Sequence, residues 1–311
     1  MRSESASLTS RSPTQNPWKL GGLSIRELAG RVWNEIEKDE ILGRAAQLAY
    51  YFLLALFPAL LFLTALVGLL PIESIVPELM KYLGSILPDD ALSLMMRYLQ
   101  QVVQGSGTDI LSLGLLGALW ASSSGVTAVM ESLNAVYNAK ETRPFWKMRL
   151  IAIVMTIGLA GFIIISLTLV LSGEYIAAWI AGWVGWGGLF TLAWNILQWP
   201  VVMALMLFAV GVMYYFSPNV EQDWRWVTPG SLFAVMMWLV VSLGFKLYVE
   251  NFGNYNAAYG SIAGVIVLML WFYLSGIVLL LGGEINAEIE KAASEKAKAR
   301  SEPLPLREAQ A

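Results

Sequence analysis

Six long apolar runs constrain this chain more than any other feature of its sequence. They lie near 45–70, 110–133, 149–172, 188–216, 228–250 and 260–284. A helix needs roughly 20 residues to cross a ~30 Å hydrocarbon core, and each run supplies them. Strands of a membrane barrel would instead read as alternating segments of about ten residues. The predicted fold class is therefore all-α, a polytopic helical membrane protein with six transmembrane helices. Charged residues make up only 14% of the chain, against about 25% in soluble domains, which excludes an ordinary soluble fold.

The remaining segments divide the chain. Residues 1–43 are expected to form a polar N-terminal segment with an interfacial helix, 44–286 the six-span membrane domain, and 287–311 a tail that is helical at first and then disordered. No cleavable signal is expected, because the first 40 residues lack the apolar core of one. The loop at 71–109 is broken by Pro71, Pro77 and Pro88. Its apolar residues Leu92, Met95, Met96, Leu99 and Val103 follow a helical period after a cap at Asp89. This predicts a short amphipathic helical segment on the outer face, capping the bundle or lying on the membrane.

Six spans make the loops alternate sides. The N-terminal segment with Arg44 at the mouth of the first span, 134–149, 217–227 and the tail together hold all 20 Lys and Arg except Lys81, Arg97 and Lys246. The positive-inside rule then places both termini in the cytoplasm.

The second run carries the polarity that needs explaining. "LWASSSGVTAVMESLNAVYN" (119–138) sets serines, a threonine, asparagines and Glu131 within an apolar stretch. At 100° per residue, Ser123, Ser124, Thr127, Glu131, Asn134 and Asn138 fall within an arc of about 100°. Gly and Ala dominate the adjoining arc, and large apolar residues occupy the rest. Lipid cannot satisfy the polar arc, so it must face protein or water. Two readings fit. The hydroxyls can be interhelical glue with Glu131 bridged to Arg143, Lys147 or Arg149, or the arc can line a polar cavity.

Other polar groups sit near interfaces. Arg143 in "AKETRPFWKMR" and Arg225 in "YYFSPNVEQDWRWVTPG" are flanked by aromatic residues, which suits anchoring at lipid headgroups or recognition of an anionic one. Lys246, four residues before Glu250, is placed to snorkel from the fifth span. Pro58 and Pro200 fall inside spans one and four and are expected to kink them. The candidate substrate or lipid contacts are thus Ser123, Thr127, Glu131, Asn134, Arg143, Arg225 and Lys246.

The chain has no Cys and no His, which removes disulfides, thiolate nucleophiles and the commonest metal ligands. No phosphate-binding loop is present. No catalytic residue, metal or cofactor is expected, and ATP hydrolysis by the chain itself is not expected.

Five stretches together resemble one family: "LAYYFLLALFPALL", "LWASSSGVTAVMESLNAVYN", "ETRPFWKMRL", "YYFSPNVEQDWRWVTPG" and "YGSIAGVIVLMLWFYLSGIVLLLGGEINAE". In this order, from about 44 to 290, they are similar to the YihY/BrkB family of bacterial inner-membrane proteins. The resemblance implies six spans. It also implies an envelope role, since members have been called virulence or serum-resistance factors and one relative is linked to export of a lipopolysaccharide precursor. The family's inherited label of ribonuclease BN does not fit these residues, which lack His, Cys and a clustered carboxylate set. The expected function is transport or flipping of a lipid-like or amphiphilic anionic substrate. The alternative is a membrane scaffold supporting envelope assembly or integrity. Expected partners are membrane lipids and an envelope protein or a second copy, with no nucleic acid.

Overall fold

The computed structural model describes residues 16–69, 108–171, 187–252 and 261–301. A 3-10 turn, Pro17–Gly22, precedes helix α1, Ile25–Lys38. Six long helices follow: α2 (Ile41–Leu69), α3 (Thr108–Val136), α4 (Phe145–Leu171), α5 (Gly187–Phe216), α6 (Pro229–Phe252) and α7 (Ser261–Ser301). They match the six apolar runs, and no strand occurs among the described residues. Residues 71–107 of the outer segment expected at 71–109 lie outside the described residues, as does the tail beyond 301, while 108 and 109 begin α3.

Local chemistry sets the helix ends. The Ser24 hydroxyl accepts from the Glu27 amide at 3.3 Å, while the Ser24 amide donates to the Glu27 carboxylate at 2.8 Å. This capping box starts α1. Asp39 ends it, and Glu40, at φ 53°, turns the chain directly into α2. Asn138, at φ 51°, terminates α3 in the left-handed region that asparagine tolerates. Helices α2 and α5 run on through Pro58 and Pro200.

Five of the long helices are apolar enough to be membrane spans by hydropathy alone. The sixth is α3, the helix with the serines. Its inner face is nonetheless apolar: Val129, Leu133 and Val136, spaced i, i+4, i+7, pack with Ile41, Ala45 and Leu48 of α2 at the same spacing. Val278 and Leu280 of α7, Ala234 of α6 and Tyr214 of α5 complete this core.

Small residues bring the backbones together. A methyl at Gly125 would touch Ala55 and Phe52 of α2 at 3.4 Å, and one at Gly276 would sit 3.3 Å from the Ala45 backbone. Close approach of this kind packs helices where lipid offers no hydrophobic drive. The opposite faces carry exposed Leu116, Val154, Ile157, Val240 and Leu243, as suits contact with hydrocarbon.

The segments grouped by their basic residues do gather at one end. Asn219 of the α5–α6 loop bonds to Asn134, Lys140 and Thr142, and Asn286 of α7 bonds to Thr228 and Gly230. Helix α7 does not stop at its apolar part. It continues to Ser301, so the expected boundary at 286 falls within one unbroken helix. Its polar half carries α1 and the 3-10 turn.

Candidate functional site

The hydroxyls of α3 answer to their own helix first. Ser122, Ser123 and Thr127 donate to the carbonyls of Leu119, Trp120 and Ser123 at 3.0, 2.8 and 3.1 Å, and Ser132 donates to Ala128 at 2.9 Å. Such back-bonding satisfies a hydroxyl inside a packed bundle. Ser123 is fully buried and Asn134 is 5% exposed.

A guanidinium occupies the next part of the arc. Arg149, in the second turn of α4 and only 8% exposed, reaches Ser124 and Thr127 at 3.3–3.4 Å and donates to the Trp120 carbonyl. Its charge also lies 4.1 Å from the centre of the Trp120 ring, a cation–π contact. Trp120 and Phe145 stand beside each other, both half-exposed or more. The Nε of Arg149 is buried with no acceptor, and no carboxylate among the described residues pairs with this cation. A cation held only by hydroxyls, one carbonyl and a ring keeps most of its field unneutralised.

Glu131 does not join this group. Thr127 and Glu131 are one turn apart on one face, yet Glu131 is exposed, and it forms no bridge to Arg149. The bridge expected to Arg149 assumed that the arc is covered along its whole length, whereas the exposure of Glu131 suits the other reading, a wall facing water.

Asn134 and Arg143 meet through Glu141. The Asn134 amide donates to Glu141 at 2.8 Å, and Arg143 grips the same carboxylate at 2.6 and 2.8 Å. Arg143 also donates to the carbonyls of Phe216 and Ser217 at the end of α5. The Arg143 guanidinium and backbone N–H hold the Glu141 carboxyl down to about 2. Arg225 lies in the α5–α6 loop within reach of the Glu290 charge. Lys246 is exposed some 25 Å further along α6 than its first residue, at about 1.5 Å per residue. The seven candidates thus form no single site: Ser123 and Thr127 lie with Arg149 around the Trp120 carbonyl, Asn134 joins Arg143 through Glu141, and Glu131, Arg225 and Lys246 lie elsewhere.

A second ionic group joins α1 to α7. Arg31 bonds to Glu288 and Glu295 at 3.5 and 2.9 Å, and Lys291 bonds to Glu35 and Glu288 at 3.3 and 2.8 Å. Lys38, with Lys291 behind it, lowers the Glu35 carboxyl, while burial raises that of Asp39. Glu284 and Glu288 are 1% and 3% exposed. Sequence reasoning missed this group. The signal available was the helical spacing of Glu284, Glu288, Lys291 and Glu295. An apolar groove of about 310 Å³ between Trp18 and α6 holds none of the candidate residues.

The comparisons with known proteins agree with this architecture. The family model described as virulence factor BrkB matches residues 32–306. The ribonuclease-like protein YfkH of Bacillus subtilis (strain 168) is 39% identical over 249 residues, 80% of this chain and 90% of that protein. A UPF0761 membrane protein of Tolumonas auensis is 26% identical over 284 residues, 87% and 88% of the two chains. No solved structure matches. Coverage of nearly the whole described bundle, with six long helices beneath it, makes this chain an integral membrane protein belonging to the virulence factor BrkB family.

Proposed function

We propose that this protein transports or flips a lipid-like or amphiphilic anionic substrate across a bacterial cytoplasmic membrane, without an ATPase or other enzymatic activity of its own. The observation that carries the reading is Arg149, a buried cation set among hydroxyls with an unused Nε donor. A guanidinium offers five donors in a planar fork that suits a phosphate or carboxylate. Trp120, Phe145 and Trp146 beside it are exposed, and rings of that kind favour the headgroup level. Both termini are assigned to the cytoplasm because the basic loops share their end of the bundle.

One observation favours a scaffold instead. Ser122, Ser123 and Ser132 are buried and bonded within their own helix, as packing residues would be.

Native mass spectrometry of the protein in mixed-lipid nanodiscs separates the two. Wild type is expected to retain an anionic lipid class, Arg149→Gln to lose it at least tenfold, and Arg149→Lys to lose it partially, each with an unchanged elution profile. Equal retention by all three proteins would sink the anion reading and leave the scaffold.

A further inference from the structure

Asp39 closes α1, and Glu284 lies on α7 where its apolar part ends. Neither is at the surface: Asp39 is 7% exposed and Glu284 1%. Their carboxyls lie within hydrogen-bonding reach of each other. Each also presents a buried oxygen, Asp39 Oδ2 and Glu284 Oε2, to which no protein N–H or O–H donates. Two carboxylates are acceptors only. They can bond to each other only if one of them brings a proton.

The neighbouring cations do not take the proton's place: Lys38 and Arg44 lower the Asp39 carboxyl by their charge, but neither donates to it among the described residues. On α1, Glu35 adds a negative charge and is already engaged by Lys38 and Lys291. On α2, Arg44 donates its Nε–H to the Asp39 backbone carbonyl at 2.9 Å. On α7, Glu288 takes Arg31 and Lys291. From the end of α3, Tyr137 lies close enough to feel the charge of Glu284. The acids are not arranged as a group of three that could hold a metal ion, among the described residues. The remaining ligand with the right charge and size is a proton.

We infer that Asp39 and Glu284 form a proton-binding site whose occupancy holds the joint between α1 and α2 against α7. With the proton bound, one carboxyl donates to the other and the pair carries a single negative charge. Loss of the proton leaves two buried carboxylates in contact, beside Glu35 and Glu288, with no donor between them. Burial first and the Glu35 charge next raise the Asp39 carboxyl, and together they outweigh the opposing charges of Lys38 and Arg44, which favours the bound form. The pair titrates as a unit, so the proton belongs to neither residue alone. A site whose folded-state affinity for the proton exceeds that of the unfolded chain contributes stability at low pH. That contribution is lost as pH rises through the folded-state value. The inference is independent of the anion reading, since Arg149→Gln leaves both carboxyls in place.

The test is infrared difference spectroscopy of the full-length protein in nanodiscs, titrated from acid to alkaline pH. A protonated carboxyl band is expected at neutral pH in wild type and is expected to disappear on alkalinisation. Asp39→Asn and Glu284→Gln should each abolish it, because their amides donate in the proton's place, and Glu288→Gln should keep it. The cysteine-free chain also permits spin labels at Glu37→Cys and Ala299→Cys. Their distance should lengthen as the band titrates away and stay fixed in Glu284→Gln. A wild type without a protonated band at neutral pH, a band that survives in both Asp39→Asn and Glu284→Gln, or a label distance unmoved by its loss would overturn the inference. If a variant fails to fold, the titration is repeated in Glu290→Gln, because burial raises that carboxyl to about 7 as well; a band lost with Glu290 overturns the inference.

Discussion

Arg143 directs its donors to one carboxylate and two backbone carbonyls, and Glu141 pays for its low proton affinity with a dependence on that cation. The Glu141 carboxyl, ordinarily at 4.5, is held at about 2 in the fold. Its contribution to stability is therefore full above about pH 4.5 and fades as pH falls towards 2. Glu141→Gln should lower stability by about 1 kcal/mol at neutral pH, after allowance for solvent screening. The loss should vanish at pH 2, which thermal unfolding at the two pH values would check. The motif "AKETRPFWKMR" marked Arg143 as interfacial, but not its acceptors. Ser217 lies 74 residues away, and only the packed fold brings it near. Arg149 was legible as a basic residue near the polar arc. That it, and not Glu131, completes the arc depends on where α4 crosses α3, which one helix's periodicity does not contain.

At the scale of elements, glycines decide how closely helices meet. A methyl at Gly230, the second residue of α6, would collide with the Gly282 carbonyl of α7 and lie 2.6 Å from the Asn286 side chain. Gly230→Ala should therefore destabilise the bundle by about 1–3 kcal/mol, as overpacked cores do. A scan of thermal unfolding in detergent would reveal it, and an unchanged midpoint would mean the two backbones can separate at no cost. The six helices were readable because apolar runs of membrane length have few other folds. Hydropathy was least informative for α3, whose serines hide their polarity by bonding to their own helix. The extent of α7 was legible in outline from its Ala, Lys and Glu composition, whereas its role as the platform for α1 was not. That role rests on ion pairs between residues more than 250 positions apart.

For the whole molecule, the gathering of basic loops at one end makes a topological prediction. Single cysteines at Lys140, Glu221 and Ala299 should all react with an impermeant maleimide in inverted membrane vesicles and be protected in right-side-out ones. Mixed accessibility among the three would refute the shared side. The bundle also has a long axis of its own. Helix α7 has 41 residues, about 60 Å of rod, so roughly half of it extends past a ~30 Å hydrocarbon core. Along that projecting half, Gly21 packs against Ile289 and Ala292, and Arg31 and Glu35 bind partners at 288–295. The partners of the first described segment thus leave the ribosome more than 250 residues after it. Until they emerge, α1 has nothing to dock on, whatever number of spans has already entered the bilayer. Its docking consequently reports that synthesis has passed through the polar half of α7. A chain cut short before residue 288 would expose the same acidic and basic face of α1 to whatever surveys unfinished membrane proteins.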